Sequence, residues 1–280
     1  MAVKIVTDSL SDITSDLAQG LGITVVPLTV TFGHESFLDR VTITTDEFYY
    51  RLEHDPNWPR TTQPPPGDLV NVYNKLAEET DEILVIVLSS KLSGTYQSAT
   101  SAKNMVGNKC RIEVIDSLKV AMSLGLVVIA AAKIAQSGAS LDEVMAAVNE
   151  RLPRSHLIAY FDTLKYLAKG GRIGKAKGLL GSLLSVKPIL TMKDGEMAPL
   201  TRVRSRAAGI DYLYNSVAAF PNIESLAVEH CTTPDDADRL VERLSSLCPK
   251  EIIYRSTISP VVGTYAGPNA LAVSVLEAEK

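Results

Sequence analysis

Cysteine is scarce in this 280-residue chain: Cys110, Cys231 and Cys248 are odd in number, far apart and in no Cys-x-x-Cys pattern. They read as buried thiols in a reducing compartment, not as a disulfide framework. Histidine is equally sparse, and His34, His54, His156 and His230 fall at no metal-ligand spacing. Positive charge is not in excess: 28 Lys and Arg against 32 Asp and Glu leave a net charge of −4, which argues against a general nucleic-acid binder. A long hydrophobic run is also missing. The longest, residues 120–132, lies between Lys119 and Lys133, contains Ser123 and Gly125, and falls short of the roughly 20 residues a membrane span requires. It reads as a buried helix. The start, Met1-Ala2-Val3-Lys4-Ile5-Val6, reads as a first strand and not as a signal peptide, so a cytoplasmic location is expected. With 46% apolar and 21% charged residues the chain is globular, not disordered.

What is present is concentrated in a few loops. In residues 164–174, LKYLAKGGRIG, a hydrophobic helical turn runs into a basic glycine-rich loop. Gly170 and Gly171 could take positive φ and turn N–H groups toward an anion, with Lys169, Arg172, Lys175 and Lys177 as cations. A nucleotide P-loop is excluded. Three residues, not four, separate Gly170 from Gly174, and Ala176 follows Lys175 where Ser or Thr is needed. A solvated basic turn explains the same residues.

The length predicts two α/β domains, which we place at residues 1–155 and 156–280. In the first, strands are expected at 3–6, 23–30, 83–88 and 111–115. Helices are expected from near Asp12, over 46–52 with Thr45 as N-cap, and over 69–79, 94–105 and 120–136. This is a Rossmann-like, doubly wound parallel pattern. Residues 54–66, rich in proline and holding the single tryptophan, Trp58, are expected to be irregular and to form a mobile cover. The second domain reads as mixed α/β with an antiparallel component. Strands are expected at 157–161, 186–190, 226–229 and 251–255, helices at 205–218 and 235–248, and a hairpin turn at Lys193-Asp194-Gly195-Glu196.

In open parallel sheets ligands bind beyond the carboxyl ends of the strands. Three hydroxyl-rich segments fall there: Thr7-Asp8-Ser9, residues 89–95 (SSKLSGT) and Asp116-Ser117. Each also reads as loop bonding or helix capping. Asp8 lacks the Asp-x-Asp pattern of a phosphatase nucleophile, because Leu10 stands at the third place. A fourth segment, residues 60–66 (RTTQPPP), holds two hydroxyls in a proline-stiffened loop. Neither a Ser-His-Asp order, nor paired catalytic carboxylates, nor a Cys-His pair emerges. Ligand-holding chemistry is well supplied and proton-transfer chemistry is not.

These segments, together with Thr163-Leu164-Lys165-Tyr166-Leu167, Lys187-Pro188-Ile189-Leu190 and Gly263-Thr264-Tyr265-Ala266-Gly267-Pro268, resemble the DegV family in order and spacing from end to end. The resemblance implies two α/β domains with one long-chain fatty acid buried between them. It also implies a non-catalytic binding subunit of bacterial fatty acid kinase. A separate kinase protein would phosphorylate the bound carboxylate to an acyl-phosphate for phospholipid synthesis. By the same resemblance Thr61 or Thr62, with Ser93, holds the carboxylate, and Gly94, Thr95, Arg204 and Tyr265 neighbour the head group. Arg172 meets the kinase partner. The fatty acid is the ligand, with no cofactor, metal or nucleic acid implied, and a transient contact with a membrane surface is compatible with that role. The lining is expected from Phe and Leu side chains of both domains.

Physical chemistry fits such a carrier. Burying a methylene contributes about 0.8 kcal/mol, so a sixteen-carbon chain gains on the order of 10 kcal/mol before ordering costs. Hydroxyl donors then set direction without a buried countercharge. Three positions depart from the family pattern: Tyr265 where histidine is usual, Asn269 for glycine, and Thr62 where serine is more frequent. Tyr265 donates a hydrogen bond but stays neutral, so binding is expected to survive and phosphoryl transfer to weaken or pass to Arg204. Two alternatives stay open: a lipid-binding regulatory protein without a kinase, and an Asp8-dependent hydrolase.

Overall fold

The structure, a computed structural model, describes residues 2–107, 110–179 and 186–279. The chain opens with β1 (Lys4–Asp8), α1 (Ser15–Gly20), β2 (Ile23–Val26), β3 (Thr29–Phe32), β4 (Glu35–Leu38) and α2 (Thr45–His54). It continues through β5 (Arg60–Thr62), α3 (Pro66–Leu76), β6 (Glu82–Val87), α4 (Thr95–Val106), β7 (Arg111–Asp116), α5 (Met122–Gln136) and α6 (Leu141–Arg151). Then come β8 (Ser155–Tyr160), α7 (Lys165–Lys169), β9 (Lys187–Lys193), β10 (Glu196–Val203) and α8 (Arg206–Ala218). The chain closes with β11 (Ile223–His230), α9 (Pro234–Leu244), β12 (Ile253–Thr257), α10 (Pro260–Ala266) and β13 (Leu271–Glu277).

Strands β2-β1-β6-β7 form a parallel sheet, and β10-β9-β8-β13-β11-β12 form a mixed one in which β11 and β12 run parallel. Strand β6 shows why the middle of the parallel sheet is apolar. Ile83, Val85 and Val87 pack with α3 and α4, while Leu84, Ile86 and Leu88 face the opposite core. Both faces of the strand are covered, so every position from Ile83 to Leu88 is apolar. Helix α5 fills the space between the two sheets. Twelve of its residues are buried, as expected of a helix that is apolar all round, and one hydrophobic cluster runs from Leu84 and Ile86 through α5 to Leu157 and Ala159. The far face of the mixed sheet packs on α8 and α9 through Ile158, Tyr160, Leu213 and Leu240.

Several expectations are corrected. The single strand at 23–30 is two strands in different sheets, because Pro27 has no N–H for a ladder and the amide of Leu28 is taken by Ser9 Oγ at 3.1 Å. β3 belongs to a small antiparallel sheet, β4-β3-β5, whose third strand, Arg60–Thr62, lies in the segment expected to be irregular. The helix expected from near Asp12 begins at Ser15, because Asp12 itself is left-handed with a φ of 53°. The N-cap of α2 is Thr44, its hydroxyl accepting from the Glu47 amide at 3.2 Å. Helices α6 and α10 and the central strand β13 were not anticipated. The hairpin at 193–196 joins β9 to β10, with Asp194 and Gly195 both at positive φ, as a type I′ turn requires.

Candidate functional site

Strand order reverses between β1 and β6, which makes the crevice beyond their carboxyl ends the topological switch point. Asp8, the last residue of β1, spans it. One carboxylate oxygen accepts from the Leu10 amide at 2.9 Å and the other from the Leu88 amide at 2.7 Å. Burial pushes its pKa up to about 7, against the opposing pull of those two amides. Both oxygens are committed to holding loops. Among the described residues no group of His, Cys, Asp and Glu side chains is placed to hold a metal. Asp116 is likewise a loop bonder, accepting from the amides of Ser90 and Leu118 at 3.0 and 3.2 Å.

The loop after β6 is pinned from the other sheet. Ser89 is buried and donates to the Gly195 carbonyl at the β9–β10 hairpin tip at 2.7 Å. Its own carbonyl accepts from the amides of Leu92 and Ser93 at 3.0 and 3.2 Å. Ser93 is thereby carried to the rim of a pocket whose enclosed cavity volume is about 90 Å³. Leu10 and Leu88 supply the wall from the parallel sheet, Val120 and Ala121 that from the start of α5, Leu157, Ala159 and Phe161 that from β8 and its end, and Val261 and Val262 that from α10. Leucine does come from both sheets, but among the described residues Phe161 is the one phenylalanine of the lining, and small alanines fill much of the remainder. Thr61, Gln63, Ser93, Arg172 and Tyr265 are the polar lining, and among the described residues Arg172 is its one charged side chain.

These polar groups form a small network. The hydroxyls of Thr61 and Tyr265 are 2.5 Å apart, and that of Ser93 lies 2.9 Å from the hydroxyl of Thr95. Arg172 donates from Nε to the Leu92 carbonyl at 3.2 Å and from Nη1 to the Gly170 carbonyl at 2.8 Å, with its guanidinium 5.2 Å from the Tyr265 ring centroid. It thus bridges the loop after β6 to the loop after α7, across the pocket mouth. Beyond the Thr61–Tyr265 contact lies a second hollow, bordered by Trp58, Arg60, Lys169 and Arg172. There the indole stacks on Tyr166 at 5.1 Å and carries the Lys169 ammonium 3.7 Å from its centroid.

The glycine-rich loop does not cradle an anion. The Gly170 amide donates to the Tyr166 carbonyl at 2.9 Å, Gly171 to Ala168 at 3.2 Å and Arg172 to Leu167 at 3.1 Å. With Gly171 at φ 74° this is a Schellman cap on α7, and it consumes the amides expected to face a ligand. Gly170 serves packing: a methyl group there would lie 2.4 Å from Cδ1 of Tyr265.

Of the residues singled out from the sequence, Thr61, Ser93, Arg172 and Tyr265 come together at the pocket. Thr62 does not. On β5 it pairs with Thr29 of β3, and successive strand residues face opposite ways. Gly94 and Thr95 sit behind Ser93, Gly94 exposed and Thr95 buried, and neither lines the pocket. Arg204 lies beyond the end of β10, exposed and outside the lining. Gln63 was missed as a site residue, although it stands two positions after Thr61 and so shares its face.

A family model described as DegV family matches residues 2–278. The chain belongs to the DegV family. A DegV domain-containing protein of Caldanaerobacter subterraneus subsp. tengcongensis is 40% identical over 275 residues, covering 97% of each chain. Among solved structures, a DegV family protein from Thermus thermophilus, described for its fatty acid binding, matches with a TM-score of 0.91 and 32% identity over 99% of this chain and 100% of that one. DegV of Bacillus subtilis, described as a fatty acid binding protein, matches with a TM-score of 0.90 and 30% identity over the same shares. The two-sheet α/β architecture is therefore that of DegV fatty-acid-binding proteins. Among the described residues no helix of this DegV protein is long and apolar enough to cross a membrane.

Proposed function

We propose that this DegV protein holds one long-chain fatty acid in the pocket between its two sheets, with the carboxylate at the Thr61, Ser93, Tyr265 and Arg172 end. The observation that carries the reading is the contrast along one cavity: apolar walls from both sheets run to a single polar end of hydroxyls and one guanidinium. Alkyl burial at about 0.8 kcal/mol per methylene supplies affinity. Hydrogen bonds to the charged head group add roughly 1.5–3 kcal/mol each and fix its direction. On this reading residues 1–155 and 156–280 act as the two domains that enclose the ligand.

The finer role is to present the carboxylate to a separate kinase for conversion to an acyl-phosphate used in phospholipid synthesis. The exposure of Arg172 at the mouth, beside a basic hollow, supports assigning it the contact with that partner. The protein itself supplies no catalytic group in this scheme. Asp8, the candidate for a hydrolase, has both oxygens bound to backbone amides, which counts against that alternative. One observation favours a second reading, a lipid-binding regulator without a kinase: the head-group position is filled by a neutral phenol, bonded to Thr61, where the family usually has an imidazole.

Denaturing extraction of the purified protein, with mass spectrometry of the released small molecules, tests the carrier reading. A stoichiometric long-chain fatty acid is expected. An empty pocket that also takes up no added palmitate would refute it. Phosphoryl transfer to bound palmitate by a fatty acid kinase then separates the kinase subunit from the regulator.

A further inference from the structure

Gln63 stands apart from the other polar lining residues. The hydroxyls of Thr61 and Ser93 are each engaged with a second hydroxyl, and Arg172 spends two of its nitrogens on carbonyls. Gln63 lines the same end of the pocket, yet no hydrogen bond from its carboxamide to the protein occurs among the described residues. The side chain is exposed and passes over Gly94, where an added Cβ would come within 2.8 Å of Nε2 and 3.1 Å of Cδ. Glycine at 94 has an ordinary negative φ of −77°, so no turn geometry requires it; what it provides is room for the carboxamide. Two positions from different loops thus cooperate to keep an amide with free donors and a free acceptor beside Ser93.

We infer that Gln63 is a specificity-determining residue that contacts the ligand head group through its carboxamide, seated on Gly94. This inference rests on the fatty acid reading above. A carboxamide donates to a carboxylate without bringing a charge, and its oxygen serves a hydroxyl equally well. An acid in its place accepts from a hydroxyl but repels a carboxylate. The chemistry at position 63 therefore sets which head group enters.

The test compares palmitate with hexadecanol, by calorimetric titration of the delipidated full chain at pH 8. In Gln63→Glu, palmitate affinity is expected to fall by about tenfold or more while hexadecanol affinity changes by less than about threefold. In Gln63→Met, which keeps shape without polarity, palmitate affinity falls by a few-fold. Gly94→Ala, which displaces the carboxamide and leaves its chemistry intact, weakens palmitate in the same direction. Equal weakening of both ligands in Gln63→Glu, or unchanged palmitate affinity in Gln63→Glu and Gln63→Met, overturns the assignment. A wild-type chain that takes up neither ligand refutes the fatty acid reading itself, an outcome distinct from any change confined to the variants.

Discussion

Replacing Asp8 by asparagine turns the tie between the two loops at the switch point into a measurable pH effect. In the folded chain burial holds the Asp8 pKa at about 7, against 3.8 for the free side chain. The folded state therefore binds a proton that the unfolded state releases across this interval. Stability contributed by that proton is full below about pH 4 and is lost as pH rises through 7, at about 1.4 kcal/mol per unit where the two states differ by one proton. Between pH 5 and 7 the wild type loses roughly 2 kcal/mol through Asp8 alone. Asp39, also raised to about 7 by burial, titrates in both proteins and cancels in the comparison to first order. The substituted carboxamide does not titrate. It also offers one acceptor where Asp8 has two, leaving the Leu10 or the Leu88 amide unpaired, at a cost of about 1–3 kcal/mol. Urea unfolding at pH 5, 6, 7 and 8 is the assay. The stability advantage of wild type over Asp8→Asn should shrink as pH rises from 5 and level off above 7. A difference that is constant with pH, or grows, would refute the reasoning that Asp8 is held protonated by burial.

Three further outcomes follow from the site. Gly170→Ala drives a methyl into the Tyr265 ring, and destabilisation of about 1–3 kcal/mol is expected by chemical denaturation, relieved when Tyr265 is also replaced by Ala. Thr61→Val should weaken palmitate binding by about tenfold or more while Thr62→Val changes it by less than about twofold, read by titration calorimetry; equal effects would contradict the opposed faces of β5. Tyr265→His should leave palmitate affinity within about threefold and raise turnover by a fatty acid kinase. No change in turnover would remove any special role for this position.

Much of the architecture could be read because strand and helix periods were clear where burial is one-sided or complete. The apolar run ending at Leu88 and the largely apolar, largely buried α5 are both of that kind. Strand β13 escaped because Leu271 to Glu277 follows directly on a glycine-proline segment and looks like a tail, though it lies at the centre of the mixed sheet. The break at Pro27 escaped because apolar residues continue on both sides of it, and only the partner of the Leu28 amide reveals the change of sheet. At the site, Thr61 and Ser93 were legible as hydroxyls in loops. The side of the chain on which Thr62 and Gln63 fall depended on β5, a three-residue strand inside a segment that proline content marks as irregular. The glycine pair is legible only in part. Gly171 caps a helix, as a glycine after a helical turn signals, but the demand for glycine at 170 comes from the ring of Tyr265, far along the chain, which local composition does not encode.

The position of α5 bears on how any ligand reaches the cavity. One continuous hydrophobic cluster joins both sheets through this helix, and Ala121 and Val120 at its start form part of the cavity wall. A clamshell opening, with the sheets swinging apart, would strip α5 from one of them and expose a face that is apolar all round. The mouth is closed by lighter ties, Arg172 to the Leu92 carbonyl, Tyr265 to the Thr61 hydroxyl and Trp58 to the Tyr166 ring, which side-chain rotations can break and remake. On the carrier reading, exchange through the mouth would leave the α5 core intact and so uncouple loading from global stability.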